Sequence, residues 1–239
     1  MLVFLVAGTI KGTFGIGLPI AAIGLMSQFI EPRLAVTLVV MPIIVSNAWQ
    51  IFRAGDVVRA VRQYWPLGAV TMVVMFVTAN ASSAVNPATL LIVIGATVIL
   101  FSLMNLMFRI PAIPHRWDTF AQWIAGIGSG VIGGLTAIWS PPVAAYLIAT
   151  GADKNEFVRV TGLIFFVGSL PLLAGFLNSG VMTPGLIGWS SLMILPTILG
   201  FTLGERIRAQ LNTARFRTAI LLLFLLLGAN LIRKAILGQ

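Results

Sequence analysis

Lys11-Gly-Thr-Phe-Gly-Ile-Gly-Leu-Pro19 decides how this chain is read. The stretch lies inside the first apolar run and holds that run's only charged residue. Three glycines and a proline interrupt what is otherwise a continuous membrane helix. Glycine is a poor helix former, and proline removes a backbone N–H. A second break stands about half a chain later, Ser129-Gly-Val-Ile-Gly-Gly-Leu-Thr-Ala-Ile-Trp-Ser-Pro-Pro142. Helix breaks in corresponding positions of two halves point to a transporter's binding site.

The composition sets the class. Of 239 residues, 59% are hydrophobic and 9% charged, and mean hydropathy is +1.03. A soluble domain carries roughly 25% charged residues, so this chain cannot cover a water-facing surface. It reads as an all-α polytopic membrane protein of the lipid bilayer. The net charge of +9 reads as topogenic and implies no nucleic acid, because Lys and Arg sit in short loops that fix orientation. There is no Cys, hence no disulfide, thiolate metal site or thiol nucleophile. The single His, His115, sits in a polar linker and reads as a solvated loop residue. The first ten residues lack a basic n-region and a cleavage site, and read as the start of the first membrane segment.

Apolar runs cover 2–29, 34–52, 65–81, 87–108, 121–150, 157–177, 185–203 and 218–232. About 20 apolar residues cross the hydrocarbon core, so most runs fit one crossing. The longest two, the first and fifth, contain the breaks. The halves resemble each other: Gly12 and Gly15 pair with Gly130 and Gly133, Pro19 with Pro142, Val36 and Thr37 with Val160 and Thr161, and Trp65 with Trp189. This gives a first membrane repeat at 1–108, a linker at 109–120 and a second repeat at 121–239.

Charge bears on topology. If all eight runs span, seven basic loop residues fall on each side and orientation is undetermined. If the first and fifth are re-entrant hairpins, the loops at 53–64, 108–120, 151–159 and 204–217 share one side with eleven basic residues. The other side holds three, Arg33, Arg233 and Lys234. The second arrangement obeys the positive-inside rule. It also swaps charge bias between equivalent loops, as an inverted-topology repeat requires. The favoured fold is therefore two inverted repeats, each a Gly-broken re-entrant hairpin plus three spanning helices. Eight plain spans in a parallel repeat are the alternative.

The chain resembles the sulfite exporter TauE/SafE family of bacterial membrane proteins. The resemblance rests on Gly12, Gly15, Gly17 and Pro19, on Ala35-Val-Thr37, and on the second copy at Gly126–Pro142, and it covers essentially the whole chain. The first break, Gly-Ile-Gly here, is often richer in consecutive glycines in that family. The resemblance implies export of sulfite, sulfoacetate or a related organosulfonate across the bacterial cytoplasmic (inner) membrane. A channel, or a carrier of another small anion such as a carboxylate, is the alternative.

The chemistry of the breaks fits an anion. An unpaired backbone group in hydrocarbon costs several kcal/mol, so a broken helix must line a polar cavity or be buried in protein. A leg of about ten residues reaches the midplane, which puts Gly12–Gly17 and Gly130–Ser140 at two facing tips. Each tip starts a half-helix whose N–H groups and dipole favour negative charge. Glycines (Gly12, Gly15, Gly17, Gly130, Gly133, Gly134) let an anion approach the amides, and Thr13, Ser129, Thr136 and Ser140 can add hydroxyl donors. Lys11 has two readings, a cation pairing with the ligand or a snorkelling side chain. Ser129 stands at its position in the second repeat.

Asn47 and Gln50 can line the path or bond helix to helix, as can Asn105. Trp139 can wall the site or simply pack. Trp49, Trp65, Trp117 and Trp123 read as an interfacial belt. Arg206, Arg208, Arg215 and Arg217 read as topogenic or as attracting anions to a mouth. The six acids, Glu31, Asp56, Asp118, Asp153, Glu156 and Glu205, all sit at segment ends or in loops. No carboxylate is placed to relay protons or hold sodium, and no cofactor or metal is expected. An enzyme needs convergent His, Cys or acidic residues, which the apolar runs lack. The oligomeric state stays open, a homodimer included.

Overall fold

The computed structural model describes residues 1–107, 111–208 and 213–238. These form eleven α-helices and no strand: α1 (Leu2–Phe14), α2 (Leu18–Met26), α3 (Pro32–Ala54), α4 (Val57–Ala81), α5 (Pro87–Met107), α6 (Asp118–Thr136), α7 (Ser140–Ala149), α8 (Lys154–Asn178), α9 (Pro184–Leu192), α10 (Ile194–Arg208) and α11 (Thr213–Leu237). Among them are six stretches long and apolar enough to cross a bilayer, supplied by α3, α4, α5, α8, α9 with α10, and α11. The runs at 2–29 and 121–150 divide, the first into α1 and α2, the second into α6 and α7; the run at 185–203 is also interrupted, at Met193 between α9 and α10. The chain is an all-α polytopic membrane protein. The repeat boundary expected at 108–109 lies outside the described residues.

The helices form two compact units, Met1–Pro42 with Ala84–Phe108 and Thr183–Gln239, and Ile43–Ser83 with Arg109–Met182. In the first unit α1 lies against α10 through two Gly-xxx-Gly pairs, Gly8/Gly12 and Gly200/Gly204. A Cβ on Gly12 would stand 2.1 Å from Phe201 O, and one on Gly200 would stand 2.1 Å from Leu5 O. Small residues thus let the two backbones touch, the usual means of helix association in lipid. Pro42 inside α3 has no N–H for the Leu38 carbonyl. The Ser190 hydroxyl donates to that carbonyl at 2.9 Å instead, and accepts from Met41 N–H at 3.1 Å. The last carbonyls around α2 are met by the Lys234 ammonium, 3.3 Å from Ser27 O and 3.0 Å from Gln28 O. Cations favour that end of a helix.

In the second unit α4 lies against α6 and α8. Gly126, Gly130 and Gly134 face it from α6, and a Cβ at Gly130 would stand 2.5 Å from Val74 Cβ. α4 is kinked at Tyr64 (φ −112, ψ 16), just before Pro66. The Gln122 side chain reaches both groups of the Leu67–Gln63 rung there. It donates to Gln63 O at 3.3 Å and accepts from Leu67 N–H at 3.4 Å. Insertion of a side chain into the helical ladder is a known cause of such kinks.

Candidate functional site

The second break is a hairpin. α6 ends where Ala137 adopts the left-handed conformation (φ 55) and its N–H bonds Gly133 O at 2.7 Å. Three residues later, at Ser140, α7 begins and runs back. A Cβ on Gly128 would meet Pro142 Cγ at 3.4 Å, although fourteen residues of continuous helix span about 21 Å. The open ends also meet. Ile113 N–H donates to Ala149 O at 2.9 Å, and the Tyr146 hydroxyl donates to Asp118 Oδ1 at 2.6 Å. Gln122 holds the other oxygen of Asp118 at 3.0 Å. At 19 residues, α6 measures about 28 Å, a longer leg than the ten residues expected.

The first break has the same left-handed C-cap, with a different N-cap. Gly15 (φ 81) closes α1 with its N–H on Lys11 O at 2.6 Å, and Gly17 (φ 102) opens α2. Gly15 thus matches Ala137, Gly17 matches Trp139, and Pro19 matches Pro141, each 122 residues on. The packing glycines Gly8 and Gly12 match Gly130 and Gly134 at the same offset. This offset differs from the one read from glycine spacing, which paired Gly12 with Gly130, Gly15 with Gly133 and Pro19 with Pro142. It puts Gly133, not Ser129, opposite Lys11.

The expected site residues separate by what they touch. Gly12, Gly130 and Gly134 face neighbouring helices, and a Cβ on Gly134 would overlap Thr78 Oγ1 at 1.8 Å. Gly133 is closed over by Met75 and by the Trp139 Cβ, each 2.7 Å from an added Cβ. The Thr13 hydroxyl donates to Thr9 O at 2.8 Å and lies 3.3 Å from Gly204 O. Thr136 donates to Ile132 O at 2.7 Å and accepts from Ile138 N–H at 3.1 Å. Their protons are therefore committed to carbonyls. Lys11 and Asn47 are buried; Lys11 belongs to the first unit and Asn47 to the second. Asn105 donates to Phe101 O on its own helix, at 2.8 Å.

Ser129, Trp139 and Ser140 differ. All three are at most 2% exposed, and Ser129 Oγ, Trp139 Nε1 and Ser140 Oγ have no hydrogen-bond partner. Most buried polar atoms are bonded, so each exception needs an explanation. Thr71 on α4 joins them, fully buried with Oγ1 unpartnered. A Cβ on Gly168 of α8 would be 3.5 Å from both Trp139 Nε1 and Thr71 Cγ2, so Trp139 and Thr71 flank one spot. Phe165, one turn earlier, meets the Trp139 ring edge-on at 5.7 Å. Gln50, on α3, reaches the N-terminal part of α8. Its Nε2 donates to Val158 O at 2.8 Å and reaches Thr161 Oγ1 at 3.3 Å, while its Oε1 is unpartnered.

The hairpin tip therefore gathers donors. Indole N–H only donates, and a hydroxyl can do so. The α7 dipole adds partial positive charge. Pro141 and Pro142 remove two of the four N–H groups a helix start would offer, and the side-chain donors stand where those amides are missing. Thr71 escaped sequence reading because a threonine in an apolar run looks like any β-branched packing residue. Trp49, Trp65, Trp117 and Trp123 are 40% to 63% exposed, as a belt requires, which leaves Trp139 as the buried exception among them. His115 is exposed. Arg206 is exposed on α10; the side chains of Arg208, Arg215 and Arg217 lie outside the described residues. Among the described residues no group of His, Cys, Asp and Glu is arranged to hold a metal.

The family model described as Sulfite exporter TauE/SafE matches residues 1–231 of the chain. No curated protein and no solved structure matches it.

Proposed function

The chain belongs to the sulfite exporter TauE/SafE family, a family of membrane transporters and not enzymes, and on that premise we propose that it carries sulfite, sulfoacetate or a related organosulfonate outward across the bacterial cytoplasmic membrane. The observation that carries the proposal is the set of buried donors without partners at the second break: Ser129, Trp139, Ser140 and Thr71. Sulfite and a sulfonate head each present three acceptor oxygens, which is the complement of that set.

The membrane arrangement belongs to the same proposal. Two inverted repeats, 1–108 and 121–239, each place one re-entrant hairpin before three spans. Supporting this, α1 bears on α10 as α6 bears on α4, so the first helix of each repeat packs on the penultimate span of the other. The meeting of Ile113 with Ala149 likewise suits a segment that enters and leaves by one face. Export needs no coupled ion in this account. With the interior negative, moving one anion outward is favourable by about 2.3 kcal/mol per 100 mV.

The test is flux of radiolabelled sulfite in proteoliposomes. The expected result is saturable, electrogenic movement that follows an imposed potential, and a several-fold rise in KM for Ser140→Ala. Strict dependence on a proton or sodium gradient would overturn the uncoupled mechanism. Absence of any sulfite flux would overturn the substrate.

A further inference from the structure

The donor cluster carries no formal charge, yet its proposed ligand does. A cation stands nearby in the same unit. A cavity of about 420 Å³ is lined by Asp56, Val58, Arg59, Arg62 and Gln63. Arg159, in the second turn of α8, borders it through Asp56, with Nη1 3.7 Å from Asp56 Oδ2. That separation is long and the Asp56 side chain is 54% exposed, so the pair holds Arg159 only weakly.

The local geometry around Asp56 is unusual. It sits at the start of α4 in the left-handed region (φ 49) and makes no side-chain cap. Such strain persists where the surroundings demand it and gathers at functional positions. The neighbouring acids are engaged elsewhere: Asp153 accepts from Asn155 and Glu156 N–H, and Glu156 accepts from the Tyr64 hydroxyl at 2.7 Å. Asp56 is the one paired with the guanidinium.

The inner edge of Arg159 is unsatisfied. Its Nε is buried and has no partner. Gln50 Oε1 is a buried acceptor with no partner, and Gln50 packs 3.2 Å from where a Cβ of Gly162 would be. Gly162 is one turn on from Arg159 and on the same face of α8. An orphan donor and an orphan acceptor thus lie a turn apart. Thr161, which Gln50 reaches, opens a stripe on the other side of α8 that continues through Phe165 and Gly168 to Trp139 and Thr71.

We propose that Arg159 captures the substrate: it takes the anion at the Asp56–Arg59–Arg62 cavity, in exchange for Asp56, and turns inward to Gln50, from where the anion passes on to the donors around Trp139. This rests on the reading that those donors hold the anion. Asp56 is then a competitor that releases Arg159 to the anion, and Gln50 Oε1 receives the guanidinium in its inner position.

The test is counterflow of radiolabelled sulfite in proteoliposomes of the full chain. Removing a charged hydrogen-bond partner of the anion is expected to raise KM for Arg159→Gln by about tenfold or more, with a smaller change in Vmax. Arg159→Lys keeps the charge and recovers part of that loss. Asp56→Asn removes the competitor and lowers KM. An ion pair that merely braces the fold predicts otherwise: both partners' variants would lower Vmax together and leave KM in place, and that result overturns the proposal. So does a wild-type KM in Arg159→Gln. A wild-type protein with no sulfite counterflow overturns the substrate reading and this proposal with it.

Discussion

Replacing Ser129 by Ala should move stability and transport in opposite directions. The Ser129 hydroxyl is fully buried and unpartnered. An unsatisfied buried polar group costs about 1–3 kcal/mol. Polar interactions in membranes measure nearer 0.6 kcal/mol, so the low end of that range applies. Ser129→Ala removes one oxygen and adds no volume, and it should stabilise the protein by about 1 kcal/mol. For a chain of this size that is a rise in Tm of about 2–4 °C. The same hydroxyl is proposed to donate to the anion, and a hydrogen bond to a charged group is worth about 1.5–3 kcal/mol. KM for sulfite should therefore rise by roughly tenfold or more. Thr136→Val is the control, since Thr136 has both its bonds made and its loss should lower Tm. Thermal unfolding in detergent and sulfite flux in proteoliposomes read the two effects. If Ser129→Ala lowers Tm and leaves KM alone, the hydroxyl is structural and the orphaned donors are not a site.

Three further outcomes follow from local geometry. Gly133→Leu, which would drive a side chain into Met75 and Trp139, should abolish flux in protein that still purifies as a folded species. Ala137→Gly relieves a left-handed alanine (φ 55), a conformation that costs an L-residue about 1–2 kcal/mol, and should raise Tm. The carboxyl of Asp153 is held below its ordinary value of 3.8 by the N–H of Glu156 and then that of Asn155. A depressed carboxyl stabilises above its unfolded pKa and stops doing so as pH falls through the folded one. Amide exchange at Asn155 and Glu156 should thus be faster in Asp153→Ala than in wild type at neutral pH. The difference should vanish once the pH drops below the lowered native value.

Much of the fold was legible because the bilayer makes it so. Twenty apolar residues mean a crossing, and both runs that carried glycine and proline breaks divide into two helices. What the glycines do was less legible. Spacing does not distinguish a glycine that ends a helix from one that admits a neighbour. Gly15 and Gly17 have positive φ, whereas Gly12, Gly130 and Gly134 hold helices together, and glycine spacing alone mixes the two kinds. Partnership was not legible at all. Thr13 and Ser129 are equally plausible donors in sequence, yet one hydroxyl bonds carbonyls and the other bonds nothing. Arg159 counted as one more topogenic charge because its relation to Asp56 and Gln50 joins residues about a hundred positions apart.

The account turns on the α6–α7 hairpin entering and leaving by one face, which cysteine accessibility tests most directly. The native chain has no cysteine, so Arg116→Cys and Asn155→Cys can mark the two ends of the hairpin without background. Ser83→Cys and Gly185→Cys, the latter with nothing within 4 Å of its added Cβ, mark the loops expected on the opposite side. An impermeant maleimide applied to intact cells should label 83 and 185 and spare 116 and 155. Labelling that separates 116 from 155 would make the broken segment a through-crossing, and the donors at its tip would lose their place in the path.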